Sequence, residues 1–364
     1  MKRRTLLIGG GAAVLAGGAV AASFATTGSQ ADYAHAMETL RVPLDDGPDI
    51  NGVIRYATLA ANGHNTQPWR FRTSGQSIRI SPDFSRRTPV VDPDDHHLYA
   101  SLGCAAENMA LAAAACGLIG DPRFDPTGDG AVVFDYAVGA RQSSPLCDAI
   151  PKRQSTRSPF DGRATPAPDV ALLAQAAQLP GVTPFIITER AQIDRVRDLV
   201  IAANTAQMAD KAFVAELKAW LRFNPNTALQ RGDGLFSASS GNPTLPNWLA
   251  GPMFDLAFTA GAENRKYAAQ LDTSAGIAVF VADHADPAGW FAVGRACQRF
   301  ALQATALGLK CSFVNQPVEV ASFRPELASL VGMPGRRPDI VMRFGYGSDL
   351  PMSPRRPVAT VIDA

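Results

Sequence analysis

The stretch Leu98–Leu118 reads LYASLGCAAENMALAAAACGL, small and apolar on nearly every side. A helix of this length without a polar stripe has to be buried, in a core or against an equal partner. Its glycines and alanines let a second backbone come close. A matching stretch, Phe291–Leu309, follows at an offset of 191 residues, where Gly103 falls on Gly294, Ala105 on Ala296, and Gly117-Leu118 on Gly308-Leu309. Each stretch precedes a strand-like run, Ala131–Tyr136 in one case and Asp339–Tyr346 in the other. Equal order and spacing predict an internal duplication. Two similar halves around a pair of central helices are therefore expected. Glu107 is expensive to bury unpaired and is expected to meet Arg295 or Arg299 from the partner helix.

Length sets the frame for this division, with 364 residues leaving room for two halves and a leader. Residues 1–30 read as a leader: Lys2, Arg3 and Arg4 precede an apolar Gly/Ala-rich run to about Ala25. A positive n-region before such a run is an export signal, and the Arg3-Arg4 pair gives it twin-arginine character. The chain is thus expected to use the export machinery and to work outside the cytoplasmic membrane, anchored there if the leader is uncut. The first half is placed at 31–148 and the second at 149–364. With a net charge of +1 and 18% charged residues, no basic face is implied and nucleic acid is not an expected partner. The five cysteines, Cys104, Cys116, Cys147, Cys297 and Cys311, show no metal spacing and are expected as buried free thiols.

Residues 26–48 read as a linker, followed by a helix over Ile50–Ala61. Short strands are expected at Trp69–Arg72 and Ser77–Ile80, and again at Pro184–Thr188 and Ile277–Ala282. Helices are expected over Pro168–Leu179 and, as one long element, from about Ala191 to Arg222. Residues 223–262 carry large apolar side chains between Asn, Gly, Ser and Pro, have no counterpart in the first half, and read as a lid. Asp92, Asp94, Asp95, His96 and His97 are better explained as helix-capping residues than as metal ligands, and no metal site is expected. A final short strand is expected at Val358–Ile362.

Two polar stretches carry the candidate chemistry. Gly63, His64, Asn65 and Gln67 lie between the breakers Asn62-Gly63 and Gln67-Pro68, so they sit on a fixed loop between helix and strand. Such a loop suits a flat polar ligand, and it also suits an ordinary helix-to-strand connection. His64 can serve a ligand or merely fill the loop. Arg153-Gln154-Ser155-Thr156-Arg157 offers two guanidinium groups and a hydroxyl to a phosphate, or else a solvated surface run. Arg355 or Arg356, in Ser353-Pro354-Arg355-Arg356-Pro357, supplies a third cation on a proline-fixed turn. A hydrolase or ATPase is disfavoured, because Gly-x-Ser-x-Gly, His-Glu-x-x-His and a P-loop are all absent.

Arg153–Arg157 resembles the R-x-S-x-R motif of the FMN-dependent nitroreductase superfamily, and Asn65–Trp69 resembles its N-x-Q-P-W loop. In that family the first motif grips the FMN phosphate, and the loop runs along the ribityl chain and ring of a flavin held at a homodimer seam. Here the first half has the loop without the arginine motif. The second has the arginine motif with Leu179–Phe185 in place of the loop. This division, the Ser-Pro-Arg-Arg-Pro end and the lid resemble the fused, single-chain group sometimes called the Acg family. The resemblance implies an α+β, nitroreductase-like fold, two half-domains fused into a pseudo-dimer around the paired central helices, and one FMN per monomeric chain, bound by Arg153, Ser155, Arg157, Gly63, His64, Asn65, Gln67, Arg355 and Arg356. It implies hydride transfer through flavin N5 to a small acceptor such as a nitroaromatic or quinone, with no side-chain nucleophile. A protein that only stores FMN, or a cofactor-free interaction module on the same fold, are the alternatives.

Overall fold

The computed structural model describes residues 26–45, 47 and 49–363. The leader up to Ala25 lies outside the described residues. Among those residues no helix is long and apolar enough to cross a membrane.

Two four-stranded antiparallel sheets flank a pair of long central helices. The first sheet is built from β1 (Trp69–Ser74), β2 (Ser77–Pro82), β3 (Arg123–Asp125) and β4 (Ala131–Asp135), in the order β1-β2-β4-β3. The second uses β5 (Val182–Ile187), β6 (Gly276–Ala282), β7 (Lys310–Phe313) and β8 (Pro338–Gly345), in the order β5-β6-β8-β7. In each half the long helix follows the second strand: α1 (His96–Ala115) after β2, and α2 (Pro287–Ala306) after β6. Element order and sheet order therefore agree between the halves. This agreement is independent of the helix sequence match and supports the same duplication.

The central helices touch through backbone. A Cβ placed on Gly103 would lie 2.1 Å from the Phe291 carbonyl oxygen, and one on Gly294 would lie 1.9 Å from that of Ala100. No side chain fits at either position. Ala105, Ala106, Ala296 and Ala301 fill the rest of the crossing and are fully or almost fully buried. Glu107, 1% exposed, receives hydrogen bonds from both Arg295 (2.8 Å) and Arg299 (2.7 Å). The expected partnership thus involves both arginines and staples the two halves together.

β6 shows how the second sheet is covered. Ala278, Phe280 and Ala282 face the central helices, whereas Ile277, Val279 and Val281 face a second core with Val196, Leu199 and Leu327. A strand buried on both faces reads as a continuous apolar run. The first sheet's β1–β2 connection is a tight hairpin at Gly75-Gln76, but the corresponding β5–β6 connection is the excursion from Ile187 to Gly276. The extra material therefore begins well before residue 223.

Several local expectations shift. The helix expected from Ala191 to Arg222 breaks at Asp210, whose carboxylate accepts from Ala212 N and starts a new helix, Lys211–Ala219. The stretch read as a lid contains two helices, Pro225–Arg231 and Asn247–Ala257. The 26–48 segment holds a helix, Gln30–Thr39, capped by Ser29, with the Tyr33 ring tilted against that of Phe236 at a centroid distance of 4.4 Å. Asp92 does cap α1, accepting from His97 N and Leu98 N, while Asp94 pairs with Arg337, Asp95 with Arg87 and His96 with Asp339. The strand expected at Val358–Ile362 is a helical turn plus one bridge, Ile362 to Phe71, which returns the C-terminus to the edge of the first sheet.

Gly103→Ala and Gly294→Ala should each lower stability by about 3 kcal/mol, the upper end of the usual overpacking penalty, because the new methyl meets rigid backbone. Equilibrium denaturation measures this. An unchanged midpoint for either variant would refute the close crossing.

Candidate cofactor site

The loop after the helix Ile50–Thr58 is strained. His64, Asn65 and Gln67 all have positive φ, at 47°, 54° and 55°, a region that costs most non-glycine residues about 1 kcal/mol or more. The strain is held by named bonds. Gln67 N donates to Asn62 Oδ1 at 2.8 Å, Gly63 N donates to Ser101 Oγ at 3.3 Å, and Ala61 N donates to Gln298 Oε1 at 3.3 Å. The loop is thereby fixed to both central helices.

This loop and the Arg153–Arg157 segment border one continuous recess. A cavity of about 430 Å³ is lined by Gly63, His64, His97, Cys104, Arg157 and Cys297, among others. A narrower cleft of about 30 Å³ is lined by Arg41, Asn65, Arg153, Ser155, Arg157 and Arg355. Ala61, Asn62, Arg157 and Leu235 belong to both. Asn65 from the first half and Arg153 from the second thus face one cleft.

The cleft is electrically unusual. Four arginines line it, and none of its lining residues is a carboxylate. Burial pushes the pKa of Arg41 down to about 10 and lowers those of Arg153, Arg157 and Arg355, and the charge of Arg153 adds to the lowering at the other three. Their partners are backbone carbonyls instead. Arg355 donates to the oxygens of Thr58 (2.5 Å), Leu59 (3.1 Å) and Ala60 (3.1 Å), and Arg153 also donates to Leu59 O at 3.1 Å. These are the last carbonyls of the Ile50–Thr58 helix, the end where the helix dipole favours cations. Arg153 Nε is buried without any partner, and among the described residues the Arg157 guanidinium makes no hydrogen bond or ion pair.

The backbone behind these arginines is held from the second sheet. Fully buried Arg343 donates to Thr156 O and Ser158 O, both at 2.8 Å, and Gln270 Nε2 donates to Arg157 O at 2.6 Å. Ser155 makes a bridge to Cys311 on β7.

The expected site residues divide three ways. Arg153, Ser155 and Arg157 reach the cleft with unsatisfied capacity on the arginines, and Gly63 and His64 line the cavity. An added Cβ on Gly63 would meet nothing nearer than 3.9 Å, so open space lies beside it. Asn65 and Arg355 border the cleft but are already engaged: Asn65 Nδ2 donates to Gly234 O and Pro354 O, both at 3.0 Å, and its Oδ1 accepts from Arg355 at 2.8 Å. Gln67 and Arg356 line neither space. Gln67 Nε2 donates to Gly232 O at 2.8 Å and its Oε1 accepts from Arg356 N at 2.9 Å, which joins loop, insertion and C-terminus.

The sequence reading missed Arg41, Gln207, Tyr267 and Glu319. Arg41 sat in the supposed linker. Glu319, whose pKa burial raises, accepts from Gln207 Nε2 at 2.6 Å and lies 3.6 Å from His97 Nε2. Burial lowers His64 to about 4 and His97 to about 3, so both imidazoles are neutral at pH 7. The remaining wall is largely apolar and comes from the insertion, with Phe223, Leu235, Leu245, Phe254 and Phe258.

With this geometry in hand, comparison with known proteins is informative. No family model matches the chain. It is similar to two mycobacterial proteins. One, from Mycobacterium tuberculosis H37Rv, bears the name "Putative NAD(P)H nitroreductase" and is 26% identical over 334 residues, covering 87% of this chain and 92% of that one. The other, of the same species and carrying that name with the suffix acg, is 24% identical over 327 residues, 86% of this chain and 94% of that one. Among solved structures, the FMN-dependent nitroreductase NfnB of Mycobacterium smegmatis in complex with NADPH overlaps at a TM-score of 0.41. It is 14% identical, over 60% of this chain and 97% of that one. A nitroreductase with bound FMN from Desulfitobacterium hafniense overlaps at 0.38 and 16% identity, over 61% and 99%.

Because folded His64 titrates near 4 rather than 6.5, the unfolded chain binds its proton first as pH falls. The resulting penalty begins below about pH 6.5 and levels off near pH 4. His64→Asn, which tolerates the positive φ, should remove it. Relative to wild type, the variant should gain on the order of 1–2 kcal/mol in denaturation free energy between pH 7.5 and pH 5. Parallel pH profiles would refute a buried neutral His64.

Proposed function

We propose that this chain is an FMN-dependent oxidoreductase of nitroreductase type, holding one flavin at the seam between its halves. The observation that carries the proposal is a cleft with no lining carboxylate that holds a buried Arg153 with an orphaned Nε and a half-buried Arg157 whose guanidinium has no hydrogen-bond or ion-pair partner among the described residues. Buried charge without a counter-charge is strongly unfavourable, and a phosphate dianion supplies the missing partner with geometry that guanidinium groups match. The adjoining cavity, polar at one end and apolar on its insertion side, suits a flat heteroaromatic ring. The relatives named as nitroreductases agree with this reading over nearly their whole length.

In this proposal Arg153 and Arg157 bind the phosphate, with Ser155 as an added donor and Arg41 and Arg355 contributing field. Gly63 and His64 border the ring space, where His64 and His97 remain uncharged. Phe223, Phe254 and Phe258 exclude water from it. When bound, FMN supplies hydride chemistry through N5 toward a small acceptor such as a nitroaromatic or quinone. Export by the twin-arginine route belongs to the same proposal and is supported by the Lys2-Arg3-Arg4 leader. So does a monomeric working state, since each chain supplies both halves of the seam.

One observation favours a second reading. The cavity wall owes much to the insertion, which would compete with a nicotinamide for access to the ring. FMN storage without turnover accommodates that arrangement. The two readings separate on whether NAD(P)H, or only dithionite, drives reduction of a nitro compound.

The visible spectrum of the purified protein tests both. A colourless protein that takes up no added FMN would overturn them together. Arg157→Ala should weaken FMN binding roughly 10- to 100-fold, the worth of a charge-assisted bond, with an unchanged melting temperature. Arg355→Ala should instead lower stability by about 3 kcal/mol, because it strands buried carbonyls and Asn65. Reversed results would exchange the roles of the two arginines.

A further inference from the structure

The seam contains a thiol pair that the flavin reading does not use. Cys104 on α1 and Cys297 on α2 place their sulfurs 3.6 Å apart, across the crossing made by Gly103 and Gly294. Both residues line the large cavity, whereas Cys116, Cys147 and Cys311 do not. A disulfide requires about 2.0 Å between sulfurs, so the two need close by only about 1.5 Å, a side-chain adjustment at a crossing that already holds their backbones together.

The surroundings make the two sulfurs unequal. Cys297 is fully buried, and its pKa is raised by its hydrogen bond to the Cys104 sulfur and by burial. It therefore keeps its proton. Cys104 is the more exposed of the two, at 3% against 0%, and Arg153 acts on it more strongly than on the other sulfurs. The carbonyl of Gly294 accepts from either thiol, at 3.2 Å from Cys104 and 3.4 Å from Cys297.

We propose that Cys104 and Cys297 form a redox-active dithiol on the cavity wall that exchanges with low-molecular-weight disulfides. Cys104 Sγ, as thiolate, attacks one sulfur of the small disulfide, and the expelled thiolate takes up the proton that Cys104 released. Cys297 then loses its proton and attacks Cys104 Sγ, and the second small thiol leaves with that proton. Two protein thiols have lost two electrons and two protons, and one small disulfide has become two thiols. The product cross-links α1 to α2 and so fixes the seam beside the cavity. This proposal does not depend on which ligand the cavity holds.

Oxidised glutathione is the probe. The full-length protein as purified is incubated with it, then unfolded in guanidinium in the presence of the alkylating agent, digested without reduction and analysed by mass spectrometry. Alkylatable cysteines should fall from five to three, with a Cys104–Cys297 cross-linked peptide. Cys297→Ser should retain one glutathione on Cys104, and Cys104→Ser should retain none, with circular dichroism melts showing both variants folded. Five alkylated cysteines in the treated wild type would overturn the proposal whatever the variants do. Glutathione found on another cysteine in Cys297→Ser would overturn it as well. Flavin content, read separately from the visible spectrum, leaves the two proposals independently testable.

Discussion

The contact between Gly103 and Gly294 is the constraint on which the rest of the molecule depends. At that point two helices meet backbone to backbone, and each glycine's missing side chain is the space that the other helix occupies. Everything polar along the seam is then brought within bonding distance. Glu107 reaches both Arg295 and Arg299, and Asn108 accepts from Gln298 at 2.7 Å while donating to Tyr56 O at 3.0 Å. Gln298 also holds Ala61 N. A helix crossing is thus transmitted, through one glutamine, to the start of the loop that borders the cofactor cleft.

The cleft applies a related economy to charge. A protein normally neutralises buried arginines with carboxylates. Here the C-terminal carbonyls of a short helix do part of that work, leaving the cluster with net positive potential and donors to spare. Arg355 is saturated by this arrangement and Arg153 only partly, although both touch Leu59 O. That difference separates a cation whose donors are used to secure the loop from one with a buried donor left over. It also explains why the Ser-Pro-Arg-Arg-Pro turn lies at the site yet contributes chiefly as scaffold: Arg355 locks Asn65, and Arg356 N locks Gln67.

Long, strongly patterned features were legible in the sequence. The apolar helices, their offset and the strands after them gave the duplicated core, because small residues on every face leave few places for a helix to lie. The position of Asn65 and Arg153 on one cleft also followed from dividing two motifs between two halves. What stayed hidden depended on tertiary partners. The helix Gln30–Thr39 carries little amphipathic pattern and is held by Tyr33 against Phe236, so nothing local announced it or Arg41 behind it. Asn65 and Gln67 looked like ligand amides because amides can face outward or inward with equal chemistry. Only the carbonyls of Gly232, Gly234 and Pro354, far away in sequence, decide for inward. Glu319 and Gln207 meet across two helices whose separate patterns say nothing of each other.

The halves are not equivalent in what each brings to the seam. A symmetric duplication would build two equivalent recesses at the seam, each with a loop from one half and arginines from the other. In this chain the recess receives its loop from the first half and Arg153 and Arg157 from the second. The excursion between β5 and β6 falls on the side of that recess, since Phe223, Leu235, Phe254 and Phe258 all wall the cavity that His64 and Arg157 share. The lengthened strand connection of the second half is thus a cover for the recess. The cover is itself anchored at the loop it encloses: Gly234 N donates to Asn65 O at 3.1 Å, and Asp233 pairs with both Arg86 and Arg222. Any opening of that wall must therefore disturb the loop as well, which couples access to the cavity with the geometry of the site.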